Sequence, residues 1–302
     1  MKLSHISLAL SGLLLLAYCS AGKKNEESIS MRSHVVVEQE REEELSRLRA
    51  DWSGYDFQKT DLAQLPAYFE PKIVSFIEKL KPLTSTESNT AIKTLLDSAS
   101  QNKEIYTYFI ETFGNYLYDA NSVLRNDAYY AAVLEHAVAS PWMDPDKKTT
   151  YRNMLDLVRK NMPGMHVADF AFINKDGAQR RFYELNGEPR LLILYDPVCA
   201  PCSEVIQQVA KSQSLATWVD HGTLKVIAVS PVGDLRHWQA YQTNLPRKWV
   251  NGFDVSGTIV QERLFDLKMF PTFYLIDEGN HVVLKDTDLQ EVLSYMQFNS
   301  KQ

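Results

Sequence analysis

The sequence predicts an all-α bundle followed by an α/β domain in which helices flank a central sheet. From about residue 62 to residue 160, apolar residues recur at helical spacing, as in Ile73, Ile77 and Leu80. Proline and glycine in the segment 161–164 then end the helical pattern. After that segment, short apolar runs alternate with helical stretches, an order that is typical of a layered α/β domain.

Composition sets the broad class of the protein. The chain has 302 residues, of which 45% are hydrophobic and 23% charged, so it is long enough for about two domains of ~150 residues. A formal net charge of -6 argues against a nucleic-acid partner, because nucleic-acid binders normally carry a basic patch. Three cysteines, Cys19, Cys199 and Cys202, are too few for a disulfide scaffold, but the last two form a Cys-x-x-Cys motif.

The N-terminus has the pattern of an export signal. Lys2 precedes a mostly apolar stretch from residue 6 to residue 17, which is too short for the ~20 residues of a membrane-spanning helix. The end of this stretch resembles a bacterial lipobox, which implies that residues 1–18 are a lipoprotein signal peptide and that Cys19 is the lipid attachment site. Tyr18 stands where a small residue is usual, so an ordinary signal peptide cut near Ser20 or Ala21 is the alternative. We expect a protein of the cell envelope, on the periplasmic side or the cell surface.

The predicted helical domain covers residues 51–161 and follows a linker and charged segment over residues 19–50. We expect four or five helices. Thr84 and Glu87 have the spacing of a capping box, and Asp144 with Pro145 has the pattern of a helix start. The domain is rich in aromatic residues, which we interpret as packing rather than as a binding groove. These are Tyr106, Tyr108, Phe109, Phe113, Tyr116, Tyr118, Tyr129 and Tyr130.

The α/β domain is predicted to cover residues 162–302. Asp176-Gly177 indicates a hairpin turn between strands at 170–173 and 180–184. The continuous apolar run Leu191–Tyr195 is typical of a buried central strand. Further strands are predicted at 224–229, 272–276 and 281–284, and further helices at 204–211, 234–242, 258–264 and 287–296.

The cysteine pair follows the central strand and lies where a helix begins. Backbone N–H groups at a helix N-terminus stabilise a thiolate, so the pKa of Cys199 should fall below that of a free thiol. Cys202 lies one turn later on the same face and can close a disulfide with it. This arrangement suits thiol-disulfide exchange, with Cys199 as the nucleophile and Cys202 as the resolving thiol. Pro201 fits the first turn because the N–H that it lacks has no helical partner there.

Three other roles for the pair remain open at this stage. A structural disulfide is possible in an exported protein, although structural bridges usually close longer loops. A zinc site would need further ligands, and the sequence has no second Cys-x-x-Cys or His-x-x-x-His. Cu(I) could be held by the two thiolates with Met269 or a histidine. The exchange interpretation itself needs no metal and no cofactor.

The segment from Gly164 to Gln297 resembles the thioredoxin-like superfamily, specifically the exported TlpA/ResA-type branch. The resemblance rests on the Asp176-Gly177 hairpin, Cys199-Ala200-Pro201-Cys202 after the central strand, and the segment 270–277. It implies a central mixed sheet flanked by helices with an N-terminal hairpin extension. It also implies a cis-proline loop in which Phe270, Pro271 and Thr272 contact substrate and Pro271 faces Cys199.

The chain departs from the family pattern in two respects. Val198 stands where many members have a tryptophan, and the buried acidic residue that relays protons to the second cysteine has no obvious counterpart. Asp196 and Glu204 are the candidates for that role. The helical segment resembles an uncharacterised domain that precedes thioredoxin modules in lipoproteins of diderm bacteria, and that resemblance implies no chemistry.

Together these features predict an exported, lipid-anchored thiol-disulfide oxidoreductase that reduces or isomerises protein disulfides. Its partners would be protein disulfides or dithiols and, if it is a reductase, a membrane electron donor. The alternative is a surface-anchored binding or scaffold protein in which the helical bundle captures a partner and the thioredoxin-like domain is redox-inactive.

Overall fold

The computed structural model describes residue 43 and residues 45–48, 52, 55–58 and 65–299. The predicted signal peptide, the lipid attachment site Cys19 and most of the predicted linker lie outside the described residues. Within the part of the chain that is described, no helix has the length and apolar character needed to cross a membrane. The chain divides into two compact units after Tyr106, so the last two helices of the predicted helical domain share a unit with the α/β part.

The segment predicted to be helical contains five helices between residues 65 and 158. Thr84 begins the second helix with the predicted capping box. The N–H of Thr84 donates to Glu87 Oε2 at 2.8 Å, and the N–H of Glu87 donates to Thr84 Oγ1 at 3.4 Å. Asp144 begins the fifth helix by accepting the N–H of Lys147 at 2.8 Å, with Pro145 in the first turn. The helices are α1 Leu65–Lys79, α2 Ser85–Ala99, α3 Lys103–Leu117, α4 Asp127–Ala139 and α5 Pro145–Val158.

Four of the eight aromatic residues named above are fully buried, which confirms the packing interpretation for them. They are Tyr106, Phe109, Phe113 and Tyr130. Tyr118 is only half-buried, and its hydroxyl donates to Asp266 Oδ1 at 3.0 Å. A contact between residues 148 positions apart has no signature in the local sequence.

The α/β part contains seven strands in one mixed sheet. The strands are β1 Ala171–Asn174, β2 Gln179–Arg181, β3 Arg190–Leu194, β4 Lys225–Ser230, β5 Val250–Phe253, β6 Thr272–Ile276 and β7 Val282–Thr287. Their order is β2-β1-β5-β4-β3-β6-β7, with β3–β4 and β4–β5 parallel and the other pairs antiparallel. The helices of this part are α6 Ala200–Ala210, α7 Gln213–Asp220, α8 Leu235–Tyr241, α9 Thr258–Gln261 and α10 Leu289–Asn299.

The predicted fold class is confirmed, because a mixed sheet with an N-terminal hairpin follows a helical segment. All five residues of β3 are buried, as expected for a central strand, and apolar clusters lie on both faces of the sheet. In the hairpin of β1 and β2, Gly177 has φ +77, a conformation that favours glycine at this turn.

The predicted elements differ from the structure in five places, one of which is the helix predicted at 258–264, which ends at Gln261. Residues 182–185 form a 3-10 helix rather than a strand, with Phe182 buried in the core. Helix α7 and strand β5 were not predicted; β5 contains Asn251 and Gly252, which both disfavour strands. Strand β7 continues to Thr287, where a helix start was predicted.

Strand β5 tolerates Gly252 because an aromatic ring occupies the space of a side chain there. A Cβ atom on this residue would lie 2.4 Å from a ring carbon of Phe172 on the neighbouring strand β1. That separation is shorter than any real carbon contact, so glycine is needed for the close packing of β1 on β5.

Candidate active site

Cys199 lies at the N-cap of helix α6, so the predicted position at the start of a helix is confirmed. Its Sγ accepts a hydrogen bond from the backbone N–H of Cys202 at 3.2 Å. The two residues form a disulfide, with their Cα atoms 5.3 Å apart. The helix itself starts at Ala200, so Pro201 lies in its first turn, where its missing N–H leaves no helical bond unmade.

The two sulfur-bearing residues differ in exposure. Cys202 is fully buried, whereas Cys199 is partly exposed. Val198, directly before Cys199, is 60% exposed and offers an apolar surface beside the cysteine pair. A partner that approaches this end of α6 therefore meets the residue predicted to be the nucleophile.

The loop that ends at Pro271 lies at the same end of the sheet as the cysteine pair. Strand β6 runs antiparallel to β3, and its first residue, Thr272, pairs with Leu194, the last residue of β3. Pro271 therefore lies beside the segment that leads from β3 to Cys199. The Phe270–Pro271 peptide bond is cis, as the resemblance implied.

The three predicted substrate-contact residues are not equally accessible. Phe270 and Pro271 are partly exposed, but Thr272 is 1% exposed and its hydroxyl donates to the carbonyl oxygen of Met269. Any contact of Thr272 with a substrate would therefore be through its backbone. Met269, which was not among the predicted contacts, is 42% exposed in the same loop.

Neither candidate for a buried proton-relaying acid is buried. Glu204 is exposed on α6. Asp196 is partly exposed and accepts the N–H of Val198 at 3.0 Å, a bond that stabilises the turn before Cys199. Neither Asp196 nor Glu204 therefore provides a buried carboxylate that could relay protons to Cys202.

A neutral hydrogen-bond network lies in the core at the end of β3. The hydroxyl of Tyr195 and the indole N–H of Trp238 both donate to Asn251 Oδ1, at 3.0 and 3.1 Å. Tyr241 donates to the hydroxyl of Ser203, the residue after Cys202, at 3.2 Å. Burial raises the pKa of Tyr195, and nearby Tyr241 adds to the effect, so Tyr195 stays neutral.

Sequence reasoning did not single out this network. The only local signal was that Tyr195 directly follows a strand without charges, because its partners Trp238 and Asn251 come from later elements. Their pairing depends on how α8 and β5 pack against β3.

The zinc alternative gains no ligand set from the described residues. Among them, no three His, Cys, Asp or Glu side chains are grouped so that they could hold a metal ion. Zinc would need at least one more such ligand beside Cys199 and Cys202.

Comparison with known proteins agrees with this architecture. A solved structure described as a thioredoxin-like protein from Bacteroides caccae is 28% identical, covers 85% of this chain and 93% of its own, and has a TM-score of 0.82. The C-terminal part of the chain has a thioredoxin-like fold. The similarity also extends over the helices that precede this thioredoxin-like domain, since so much of both chains is aligned.

Two further solved structures match less than half of the chain. A conserved protein of unknown function from Bacteroides fragilis is 30% identical, covers 45% of this chain and 98% of its own, with a TM-score of 0.43. The thioredoxin domain of a thiol-disulfide oxidoreductase from Bacteroides vulgatus is 13% identical. It covers 45% of this chain and 96% of its own, with a TM-score of 0.39.

The helical segment matches a family model of its own. Residues 48–161 match the domain of unknown function DUF5106. No curated protein matches the chain.

Proposed function

We propose that this protein is an exported thiol-disulfide oxidoreductase that reduces or isomerises disulfides of other proteins. The observation that carries the proposal is the position of the Cys199–Cys202 pair. It lies at the N-terminus of α6 in a thioredoxin-like domain, beside the loop of the cis bond at Pro271. The similarity to a solved structure described as a thioredoxin-like protein, with a TM-score of 0.82, supports a redox function.

The reaction begins from the reduced pair. The backbone N–H of Cys202 and the helix N-terminus stabilise the Cys199 thiolate. Its sulfur attacks one sulfur of a substrate disulfide; a new S–S bond forms, the substrate S–S bond breaks, and the leaving thiolate takes a proton from water. The product of this step is a mixed disulfide between Cys199 and the substrate.

The second step releases the substrate. Cys202 loses its proton and attacks Cys199 Sγ, the mixed disulfide breaks, and the second substrate thiolate leaves and is protonated. The substrate has gained two electrons and two protons, and the pair has become the disulfide seen in the structure. In isomerisation, another thiol of the substrate resolves the mixed disulfide instead, and no net electrons are transferred.

Burial of Cys202 supports this division of roles. A sulfur within the fold cannot be reached by a folded or unfolded substrate, but it can reach Cys199 across one helical turn. Repeated reduction needs an external dithiol donor, because the chain as described holds a single pair. We propose a membrane thiol carrier on the side to which the chain is exported, with Cys19 as the lipid attachment site.

Cysteine variants test the proposal. The protein is purified from Ser20 onward and incubated with insulin and a dithiol donor. With Cys199→Ser, insulin should be reduced no faster than by the dithiol donor in buffer without the protein. Cys202→Ser should accumulate a mixed disulfide with insulin, visible as a reducible adduct by mass spectrometry, because the resolving step is lost.

The opposite results would favour the binding-protein alternative. An inactive parent protein, or a disulfide that resists reduction below about -300 mV in glutathione equilibration, is expected of a structural bridge. For the anchor, Cys19→Ala in the full chain should abolish labelling by a radioactive fatty acid. Labelling that persists in this variant would refute the assignment of the lipid to Cys19.

A further inference from the structure

The thioredoxin-like domain and helix α4 share a buried ion cluster that the proposed reaction does not use. It contains three acids and three bases, so its formal charge is balanced. Except for Arg125, whose side chain is 24% exposed, every member has a side chain that is at most 10% exposed. The members of the ion cluster are Arg125, Asp127, Asp266, Lys268, Lys285 and Asp286.

Lys268 is the centre of the ion cluster. Its Nζ lies 3.0 Å from a carboxylate oxygen of Asp127, 3.1 Å from Asp266 and 3.0 Å from Asp286. Burial alone would lower the pKa of Lys268, but the three carboxylates outweigh burial and raise it, so the side chain is charged.

Lys285 joins the ion cluster to the chain that follows α5. Its Nζ lies 2.8 Å from Asp127 and donates to the carbonyl oxygens of Val158 and Lys160 at 2.6 and 2.8 Å. Asp127, the first residue of α4, therefore contacts both lysines of the ion cluster. Helix α4 and the thioredoxin-like domain share this carboxylate.

A bulge in β7 brings two consecutive side chains to the ion cluster. Thr287 pairs with Phe273 and Lys285 with Tyr274, so Asp286 has no partner of its own on β6 and adopts φ +50. In a regular strand, residues 285 and 286 would point to opposite faces. The bulge turns both toward the ion cluster, and such irregularities are commonly functional features rather than defects.

Side-chain contacts hold the loop before Pro271: Phe265 is buried in the apolar core with Leu264 and Leu267 beside it, and the ion cluster holds the charged residues of the loop. Residues 264–271 belong to no helix or strand, so backbone ladders do not hold this segment. Asp266 and Lys268 attach it to the ion cluster, and Lys268 lies only two residues before Phe270 of the cis bond. Buried ion pairs contribute little net stability, but losing one partner is costly, so their main effect is to fix geometry.

We propose that Asp127 is a positioning residue that acts through Lys268 to hold the Phe270–Pro271 loop, so that the helical segment sets how a polypeptide disulfide docks at the cysteine pair. The inference rests on the proposed function, because it assumes that this loop contacts the substrate. It gives the helical domain a role in recognition. Asp127 does not touch the cysteines, so the chemistry of a small disulfide should not depend on it.

The test compares Asp127→Asn with the parent protein, both without residues 1–19. A matched control is Glu135→Gln on the same helix, which removes a carboxylate paired with Arg159 near the surface. For Asp127→Asn, we expect the KM for insulin to rise about tenfold. The rate with oxidised glutathione and the reduction potential of the pair should stay within about twofold of the parent. Lys268→Met should reproduce this pattern, and the double variant should be no worse than Lys268→Met alone.

A second readout does not require enzyme activity. In Asp127→Asn, the amides of residues 264–271 that are protected in the parent, such as that of Leu264, which donates to the carbonyl oxygen of Ile259, should exchange with deuterium about tenfold faster, while those of β3 keep the parent rate. Should Asp127→Asn fail to fold, Asp127→Glu, which keeps the charge but moves it, is expected to show an intermediate KM and intermediate exchange.

The outcomes separate this inference from the proposed function. An unchanged insulin KM and unchanged exchange in a folded variant would overturn the positioning role while the parent remains active. Equal losses with insulin and glutathione would also overturn it, because they indicate a general structural role. If the parent reduces neither substrate, the proposed function fails, and amide exchange alone decides whether Asp127 holds the loop.

Discussion

Replacing Pro201 by alanine should make the Cys199 thiolate more stable. The side chain at a helix N-cap can accept hydrogen bonds from the backbone N–H of the second and third helical residues. In this protein, the third residue, Cys202, provides such a bond to Cys199 Sγ at 3.2 Å, but the second residue, Pro201, has no N–H. Pro201→Ala adds the missing donor next to the sulfur.

The size of the effect follows from one added hydrogen bond to a charged acceptor. Such bonds contribute about 1.5–3 kcal/mol when well formed. Cys199 is partly exposed to water, so we take about 0.7–1.4 kcal/mol, which corresponds to about 0.5–1 unit in a titration midpoint. Because the negatively charged thiolate accepts such a bond more strongly than the neutral disulfide sulfur does, the reduction potential should rise, by at most about 15–30 mV.

The assay is the rate of alkylation of the reduced protein as a function of pH, with redox equilibration in glutathione buffers as a second measurement. Pro145→Ala is the matched control, since Pro145 also lies in the first turn of a helix but has no thiol beside it. The control should leave both quantities unchanged. If Pro201→Ala shifts the alkylation midpoint upward or not at all, the reasoning about helix N–H donors at this site is wrong.

Two further predictions concern stability. Gly252→Ala should lower the free energy of unfolding by about 1–3 kcal/mol, since a Cβ there lies 2.4 Å from the ring of Phe172. The loss should be smaller in a Phe172→Leu background, which removes the ring, and equal losses in both backgrounds would contradict the packing argument. Stability should also fall as the pH rises above about 10, because the unfolded chain releases tyrosine protons there while burial raises the pKa of several tyrosines in the folded state. Urea unfolding at pH 8 and at pH 10.5 measures this, and equal stability at both values would contradict it. These tyrosines are Tyr118, Tyr130, Tyr195 and Tyr274.

Features set by neighbouring residues in the chain were predictable. The capping box at Thr84, the helix start at Asp144, the hairpin turn at Gly177 and the helix N-terminus at Cys199 are all observed. Each depends on hydrogen bonds between residues at most four positions apart, so the local sequence contains the whole signal.

Features that depend on packing were missed. Strand β5 contains Asn251 and Gly252, and it forms because β4 and β1 supply partners on both sides and Phe172 fills the space above the glycine. Helix α7, by contrast, has a local signal: Ser212 is its N-cap, and its hydroxyl accepts the N–H of Leu215 at 3.4 Å. The two cases differ, because only the second had a local signal.

The amino-acid sequence by itself determined that a helical segment precedes an α/β domain and that Cys199 and Cys202 lie one turn apart where a helix begins. Only the tertiary structure decided that Cys202 is buried and that the carboxylates of Asp196 and Glu204 are not. It also decided that Asp127 contacts Lys268 across 141 positions of the chain. The physical reason is that periodicity and capping record interactions within one or two helical turns. The local sequence around a charged side chain is the same whether that side chain is solvated or is buried against a partner distant in the chain.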